Sequence, residues 1–345
     1  MSGTSLDGVD LVFAEFKIQR LWAFKILKAT TIPYSKNWYS QLSNLTSKSK
    51  TELMGIDGLY TEYLSEIIQD FIDSESIKDL DFISSHGHTA LHQPEKGLTY
   101  QIGNLQAIAN NLKYPVICDF RVQDVALGGQ GAPLVPIGDQ LLFSIYDYCL
   151  NLGGFANISF DFNKERIAFD ICPVNSVLNH YASQLNLSFD NKGELARSGS
   201  VDAVLLDELN KLPFYNHKAP KSLGIEWVNK NIFPLIDSKN LLLKDVLRTF
   251  VEHIAIQISK VIDLKNKKML VTGGGAYNSF LIERLENFAQ TKITIPDANI
   301  VEYKEALIFA FLGVLKIRNE VNCLSSVTGA SKNHCSGKIL MPKVI

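Results

Sequence analysis

Three separated glycine turns carry the groups in this sequence best suited to holding an anion. In Gly3-Thr4-Ser5-Leu6-Asp7-Gly8 the backbone N–H groups and two hydroxyls converge, and glycine lets a bulky anion come close. Phosphate oxygens suit that geometry. Asp7 and Asp10, on either side of Gly8 and Val9, would repel phosphate unless a divalent cation lay between them, so their presence points to magnesium. Asn151-Leu-Gly153-Gly154-Phe-Ala-Asn157 falls between apparent strands, and Val271-Thr-Gly273-Gly274-Gly275-Ala-Tyr-Asn278 between a strand and a helix, where backbone can lie along a nucleotide. One such stretch alone reads equally well as a turn at a mobile terminus. Three of them, spread over both halves of the chain, favour a nucleotide cleft.

Other side chains invite chemistry with less force. Arg121 offers a planar fork that reads carboxylate or phosphate, and an ion pair would explain it almost as well. His86, His88 and His92 could ligate a metal, since His-x-His on a strand puts both rings on one face. No matching cysteine or carboxylate cluster follows them, so substrate contact or packing is the better reading.

The elements that must position these groups alternate. Val9 to Lys17 and Trp22 to Ile32 read as paired strands, and Thr51 to Ile72 as a helix with apolar residues at helical spacing. Short buried strands follow at Asp81 to Ser85 and Tyr114 to Asp119. The second half repeats this grammar: a hairpin from Tyr148 to Phe162, helices over Asn175 to Leu185 and Leu242 to Ile262, a strand from Lys268 to Thr272, and an apolar closing helix from Glu305 to Ile317. Two similar α/β lobes with a cleft between them are expected, divided in the Gly128-Gly-Gln-Gly-Ala-Pro133 stretch. The lobes would be residues 1–133 and 134–345, the last helix packing back on the first.

Composition removes several classes. The 345 residues are 46% hydrophobic and 20% charged, which suits a two-domain globular protein rather than a disordered one. The net charge is −2 and the basic residues are scattered, so nucleic acid is not an expected partner. No apolar run approaches the roughly 20 residues of a membrane span, and no signal-like leader is visible; a cytoplasmic protein is expected. The five cysteines are odd in number and widely spaced, as in reduced intracellular chains.

A whole-chain resemblance sharpens this reading. Ser2-Gly-Thr-Ser-Leu-Asp-Gly-Val-Asp10, Ser85-His-Gly-His-Thr89, Gln101-Ile-Gly103, Asp119-Phe-Arg121 with Asp124, the stretch from Ala126 to Pro136, Asn151 to Ile158, Ala219-Pro-Lys-Ser222, Thr272 to Gly275 and Ser326 to Ala330 occur in the order found in 1,6-anhydro-N-acetylmuramic acid kinases. The sequence resembles that family throughout. The resemblance implies an actin/hexokinase-like α/β fold of two ribonuclease-H-like lobes closing on Mg-ATP and sugar. It implies a phosphate loop at Gly3, Thr4, Ser5, Leu6, Asp7, Gly8, Val9 and Asp10, with Asp7 and Asp10 toward the metal. Gly153 and Gly154 would form the second phosphate turn, and Gly273, Gly274 and Gly275 the adenosine-side turn. The family hydrolyses the anhydro bridge and phosphorylates O6 together, giving N-acetylmuramic acid 6-phosphate in cell-wall recycling, and its members are often dimers.

That reaction needs a carboxylate to take a proton from water. By motif the base is Asp170, in a strand-to-helix turn; read without the family, Asp170 is a helix N-cap. Asp119 and Asp124 are the carboxylates that compete with it, one of them instead orienting sugar or metal, and His86, Gly87, Thr89, Gln101, Gly103, Arg121 and Asn175 complete the implied sugar site, with Lys221, Ser222 and Glu226 at its border. Other outputs on this scaffold are a regulatory pseudo-kinase and a kinase for another sugar. Two departures bear on the site. The family pattern places an apolar strand ahead of the methionine that here is Met1, so a missing segment and an open sheet slot are expected. The family's Thr-Gly-Pro-Gly-Asn after the aspartate is here Ile171-Cys-Pro-Val-Asn175, which makes a local backbone difference expected.

Overall fold

The computed structural model describes residues 1–3, 6–262, 267–289 and 291–343. Thr4 and Ser5 lie outside the described residues. The chain forms two compact units, one of Met1–Leu142 with Tyr303–Ile345 and one of Phe143–Glu302. The observed division differs from the one expected at Pro133. The helix Pro136–Leu142 stays with the first unit because Gly138 sits where any Cβ would meet the Ile308 side chain, 2.6 Å away.

In the first unit, β1 (Gly8–Ile18) and β2 (Trp22–Pro33) form an antiparallel hairpin. The helix Lys50–Ser74 follows, started by a capping box in which the Ser49 N–H donates to Glu52 at 2.8 Å. It buries Leu53, Tyr60, Leu64, Ile68 and Phe71 from one helical stripe. Then come β3 (Ile83–Ser84), the hairpin of β4 (His88–Gln93) and β5 (Leu98–Ile102), and β6 (Val116–Cys118), parallel to β3.

The second unit is built on one sheet. It contains β7 (Tyr148–Leu152), β8 (Phe155–Phe162), β9 (Glu165–Pro173), β10 (Lys268–Thr272) and β11 (Lys292–Thr294), in the order β11-β10-β7-β8-β9. The first three are antiparallel and the last two add parallel beside β7. This is the expected ribonuclease-H-like order. The helix Leu243–Val261 supplies much of the core under it, through Leu247, Phe250, Ile254 and Ile258.

The chain returns to the first unit within the helix Ala298–Ile317, seven residues longer at its start than its apolar run suggests, and β12 (Lys338–Leu340) pairs antiparallel with β6. The strands of this unit do not merge into one sheet: β1–β2 and β12-β6-β3 are separate. On the second edge of β1, Ser2 bridges Val9, the Asp10 N–H donates to the Met1 carbonyl at 2.8 Å and the Met1 ammonium donates to the Asp10 carbonyl at 2.7 Å. Beyond that pairing a cavity of about 570 Å³ runs along β1 from Val9 to Phe16, with Phe82 to Ser85 opposite and Ile68, Phe71 and Phe309 among its walls. Interiors rarely hold voids larger than a water molecule.

Candidate functional site

The first unit gathers a charged cluster around its N-terminal turn. Asp10, half-buried on β1, accepts from the Thr31 hydroxyl of β2 at 2.7 Å, a cross-strand bond fixed by the register of the hairpin. Asp7 is exposed at the turn itself. Arg121 follows β6 and reaches back: its Nε donates to His86 Nε2 at 3.0 Å and its Nη1 to the Gly131 carbonyl at 2.7 Å. With Nε2 accepting, the His86 proton sits on Nδ1, 2.9 Å from the Gly87 carbonyl. Burial, and then the Arg121 charge, hold His86 well below the ordinary histidine range, so the ring is neutral.

Glu305 completes the cluster, and the sequence reading missed it because it opens an otherwise apolar stretch. Displacement of water by the surrounding protein raises the Glu305 carboxyl above the usual range, Arg121 and the Met1 ammonium oppose that, and Asp10 adds to it. Although water still reaches its side chain, Glu305 is close enough to Arg121, Asp10 and the N-terminus to feel all three charges. A carboxylate bordering the apolar run from Ala306 inside the helix Ala298–Ile317 was the available signal.

The remaining expected sugar contacts of this unit divide. Asp119, half-buried, accepts from Asn104 Nδ2 at 3.0 Å and is raised chiefly by burial. Gln101 is buried between Thr89 and Thr99, and its Oε1 has no partner among the described residues, as an acceptor kept for a ligand would. Gly87 and Gly103 are buried; a side chain at Gly103 would enter Leu64 and Tyr60, which accounts for that glycine by packing. Asp124 is wholly buried, its oxygens taken by Gly131 N, Thr328 and Cys323, so it faces no solvent. His88 bonds Ser2 at 2.8 Å and His92 bonds Thr99 at 3.1 Å, so the three histidines do not converge on a metal.

In the second unit the two remaining glycine turns meet. Gly273 ends β10 with φ 82° and ψ 164°, a conformation essentially reserved to glycine, and a Cβ there would lie 2.5 Å from Asn151 Oδ1. The turn of Gly274 and Gly275 therefore packs against Asn151 and Leu152, beside Gly153 and Gly154. Asn175, first residue of the helix Asn175–Ser183, donates to the Leu152 carbonyl at 3.2 Å and borders Gly274 and Gly275. The Val174 and Ser176 N–H groups are taken by the Gly154 carbonyl at 2.8 and 3.2 Å.

Asp170 lies inside β9, not in a strand-to-helix turn, and not at the N-cap, which is Val174. The register with β8 slips between Ala156 and Asn157, so Asp170 faces Asn157 and Ile171 is the extra residue of a bulge. Bulges re-aim side chains, often next to sites. One Asp170 oxygen accepts from Leu223 N at 2.8 Å, and its N–H donates to the Lys221 carbonyl at 3.0 Å. The other oxygen has no protein donor among the described residues. Burial raises its pKa and the Leu223 amide partly offsets this. The segment of Lys221, Ser222 and Glu226 thus flanks the carboxylate.

Glycine turns on a five-stranded mixed sheet flanked by helices, with a half-buried carboxylate on a bulged strand, define an α/β fold. Residues 1–342 match the family model of anhydro-N-acetylmuramic acid kinase. An anhydro-N-acetylmuramic acid kinase of Hydrogenovibrio crunogenus is 32% identical over 99% of this chain and 97% of its own, and one of Sulfurovum sp. strain NBC37-1 is 35% identical over 98% and 97%. A solved ROK family glucokinase of Streptomyces griseus, in complex with glucose and AMPPNP, aligns over 82% of this chain and 94% of its own at 9% identity and a TM-score of 0.33. The chain belongs to the anhydro-N-acetylmuramic acid kinase family, and is a sugar kinase.

Proposed function

We propose that this protein uses Mg-ATP to convert 1,6-anhydro-N-acetylmuramic acid and water into N-acetylmuramic acid 6-phosphate and ADP. The match of residues 1–342 to the family carries the reading. In the step itself, the water oxygen bonds to the anomeric carbon, the bond from that carbon to O6 breaks, and O6 bonds to the γ-phosphorus as ADP leaves. Asp170, through the oxygen not engaged by Leu223 N, takes the water proton. Its raised pKa makes it a stronger base than a free aspartate.

The carboxylates fit a hard cation: Asp10 and Glu305 repel each other, and an oxygen-seeking divalent ion relieves that repulsion. Asp10 and Glu305 would hold magnesium, which when bound neutralises the triphosphate, and Asp7 is exposed on the adjoining turn. Gly153, Gly154 and Gly273 to Gly275 bind the nucleotide, with Asn175 bracing their turns. Arg121, fixed by His86 and Gly131, faces the lactyl carboxylate or the phosphate, and Asp119 and Gln101 contact the sugar. No helix among the described residues is long and apolar enough to cross a membrane.

The test is product mass after incubation with Mg-ATP and the anhydro sugar in ¹⁸O water. The reading expects one ¹⁸O at the anomeric hydroxyl and one ADP per sugar, and a loss of about 10²-fold or more in kcat for Asp170→Asn. Nucleotide binding with no sugar turned over would point to a regulatory module instead, and undiminished turnover in Asp170→Asn would reject the base.

A further inference from the structure

A second chemical cluster is buried in the first unit. Cys323 and His334 oppose each other across an isolated antiparallel bridge, with Cys323 N donating to the His334 carbonyl at 3.1 Å and His334 N to the Cys323 carbonyl at 3.2 Å. Residues that exchange both bonds project their side chains to the same face. That face meets Asp124, from the short helix Val122–Ala126. Asp124 Oδ1 lies 3.0 Å from Cys323 Sγ, 3.6 Å from His334 Nε2 and 2.7 Å from the Thr328 hydroxyl. The carboxylate, thiol and imidazole atoms are all within 4.8 Å of one another, and the three residues are 0%, 1% and 5% exposed.

The imidazole is the informative member. His334 Nδ1 donates to the Lys332 carbonyl at 3.1 Å, and Nε2 faces the Asp124 carboxylate oxygen at 3.6 Å. That nitrogen is buried and has no hydrogen-bond partner among the described residues. An imidazole nitrogen and a carboxylate facing each other without a hydrogen bond in a dry interior are bridged by a cation, either a proton on the ring or a metal ion, and the thiol beside both favours the metal. A ring whose far nitrogen is anchored on a backbone carbonyl, and a carboxylate whose far oxygen accepts from Gly131 N at 2.7 Å, are the supports that metal ligands normally have.

We propose that Asp124, Cys323 and His334 form a closed structural site for zinc or a similar late transition-metal dication, with the Thr328 hydroxyl alongside. In tetrahedral zinc sites, metal–ligand bonds of about 2.0–2.3 Å put neighbouring ligand atoms about 3.4–3.6 Å apart. The carboxylate–imidazole distance already fits, the thiol sits about half an ångström too close to the carboxylate, and the thiol and imidazole are within 4.8 Å of each other. On loading, the Cys323 thiol gives up its proton to solvent and the thiolate bonds the metal. The donor set of sulfur, nitrogen and oxygen excludes the magnesium that serves phosphates. The ion would clip the C-terminal segment carrying Cys323 and His334 onto the stretch from Arg121 to Gly131.

The experiment uses the full chain, stripped with chelator and titrated with cobalt(II), then with zinc in competition. Expected are one equivalent bound, a thiolate-to-cobalt charge-transfer band in the near ultraviolet, visible bands of tetrahedral intensity, and a higher melting temperature with zinc than without. His334→Gln and Cys323→Ser, each checked for native far-ultraviolet dichroism, are expected to weaken cobalt binding by about 100-fold, and the serine variant to lose the charge-transfer band. Two results overturn the proposal: no cobalt thiolate band at micromolar metal, or binding that is undiminished in both variants because the ion sits elsewhere.

Discussion

Arg121 Nε and His86 Nε2 are 3.0 Å apart, and the bond fixes the protonation state of one group and the direction of the other. His86 must be neutral to accept it, and its ring packs edge-on against Phe309 at 4.7 Å, under the guanidinium that lies 5.7 Å over the same phenyl ring. The guanidinium is thereby aimed without a salt bridge among the described residues, although Glu305 and Asp124 are close enough to act on its charge. Replacing Arg121 with Met should raise the His86 pKa, since one of the charges that depresses it is gone. It should still stay under the ordinary value, because burial is the larger cause. Side-chain NMR titration reads that shift. On the proposed function, kcat/KM should fall in the same variant by about 10²-fold, and Arg121→Lys, which keeps charge without the fork, should recover only part of it.

Two further histidines make stability depend on pH. His88, bonded to Ser2, is lowered by burial to about 4, and His253, between Asn210 and Tyr215, to about 3. Both are depressed in the folded state, so above pH 6.5 neither form carries the proton and the fold loses nothing. As pH falls from 6.5 toward 4 the unfolded chain takes protons that the folded chain refuses, and stability drops by about 1.4 kcal/mol per pH unit for each such histidine. Urea unfolding at pH 7.5, 6 and 5 should show this slope, and His88→Gln should flatten it by about 1 kcal/mol per unit. A slope unchanged in that variant would show that His88 does not contribute.

Gly273 and Gly55 should respond to alanine in opposite directions. At Gly273 the backbone is in a glycine-only region and the added Cβ would strike Asn151 and the Leu152 carbonyl, so the turn must open. A cost of roughly 2–3 kcal/mol is expected, with ATP affinity lowered at least about tenfold by calorimetry. Gly55 sits exposed in the helix Lys50–Ser74 with nothing within 4 Å of an added Cβ, and alanine there should stabilise by roughly 0.5–1 kcal/mol. Equal effects at the two positions would remove the basis for reading Gly273 as a conformational requirement.

Local features were the legible ones. The β1–β2 hairpin, the strand that ends in Gly273 and the amphipathic helices follow from apolar periodicity and turn chemistry, which act over a few residues. What escaped the sequence depends on distant partners. Pro136–Leu142 joins the first unit through the contact of Gly138 with Ile308, 170 residues on. Asp170 looks like a helix cap until the β8 register shows a bulge, and register is set between strands. Glu305 lies inside the helix Ala298–Ile317, where only the fold reveals that Asp10 and Arg121 are its neighbours. Asp124, expected to touch sugar, is instead closed in by residues around 200 positions later.

The cavity beside β1 makes the last prediction. Met1 and Ser2 already pair antiparallel with Val9 and Asp10, so a chain extended ahead of Met1 would run along the unpaired edge of β1 toward Phe16. The Met1 ammonium is held there at a cost: burial lowers its pKa, countered in part by Asp10 and Glu305. Extending the chain by an apolar strand of about seven residues, alternating valine and isoleucine with threonine, replaces that buried charge with an amide and fills the void. It also pairs the open edges of β1 and β3. A gain of about 2 kcal/mol or more is expected, or roughly 5 °C in melting temperature for a unit of this size. Amide exchange at Leu11, Phe13 and Phe16 should slow at the same time. A glycine-serine extension of equal length removes the same charge but offers little to bury, so it should recover only a small part of the gain. If both extensions raised the melting temperature equally, the effect would belong to the ammonium alone and the cavity would not be a strand site.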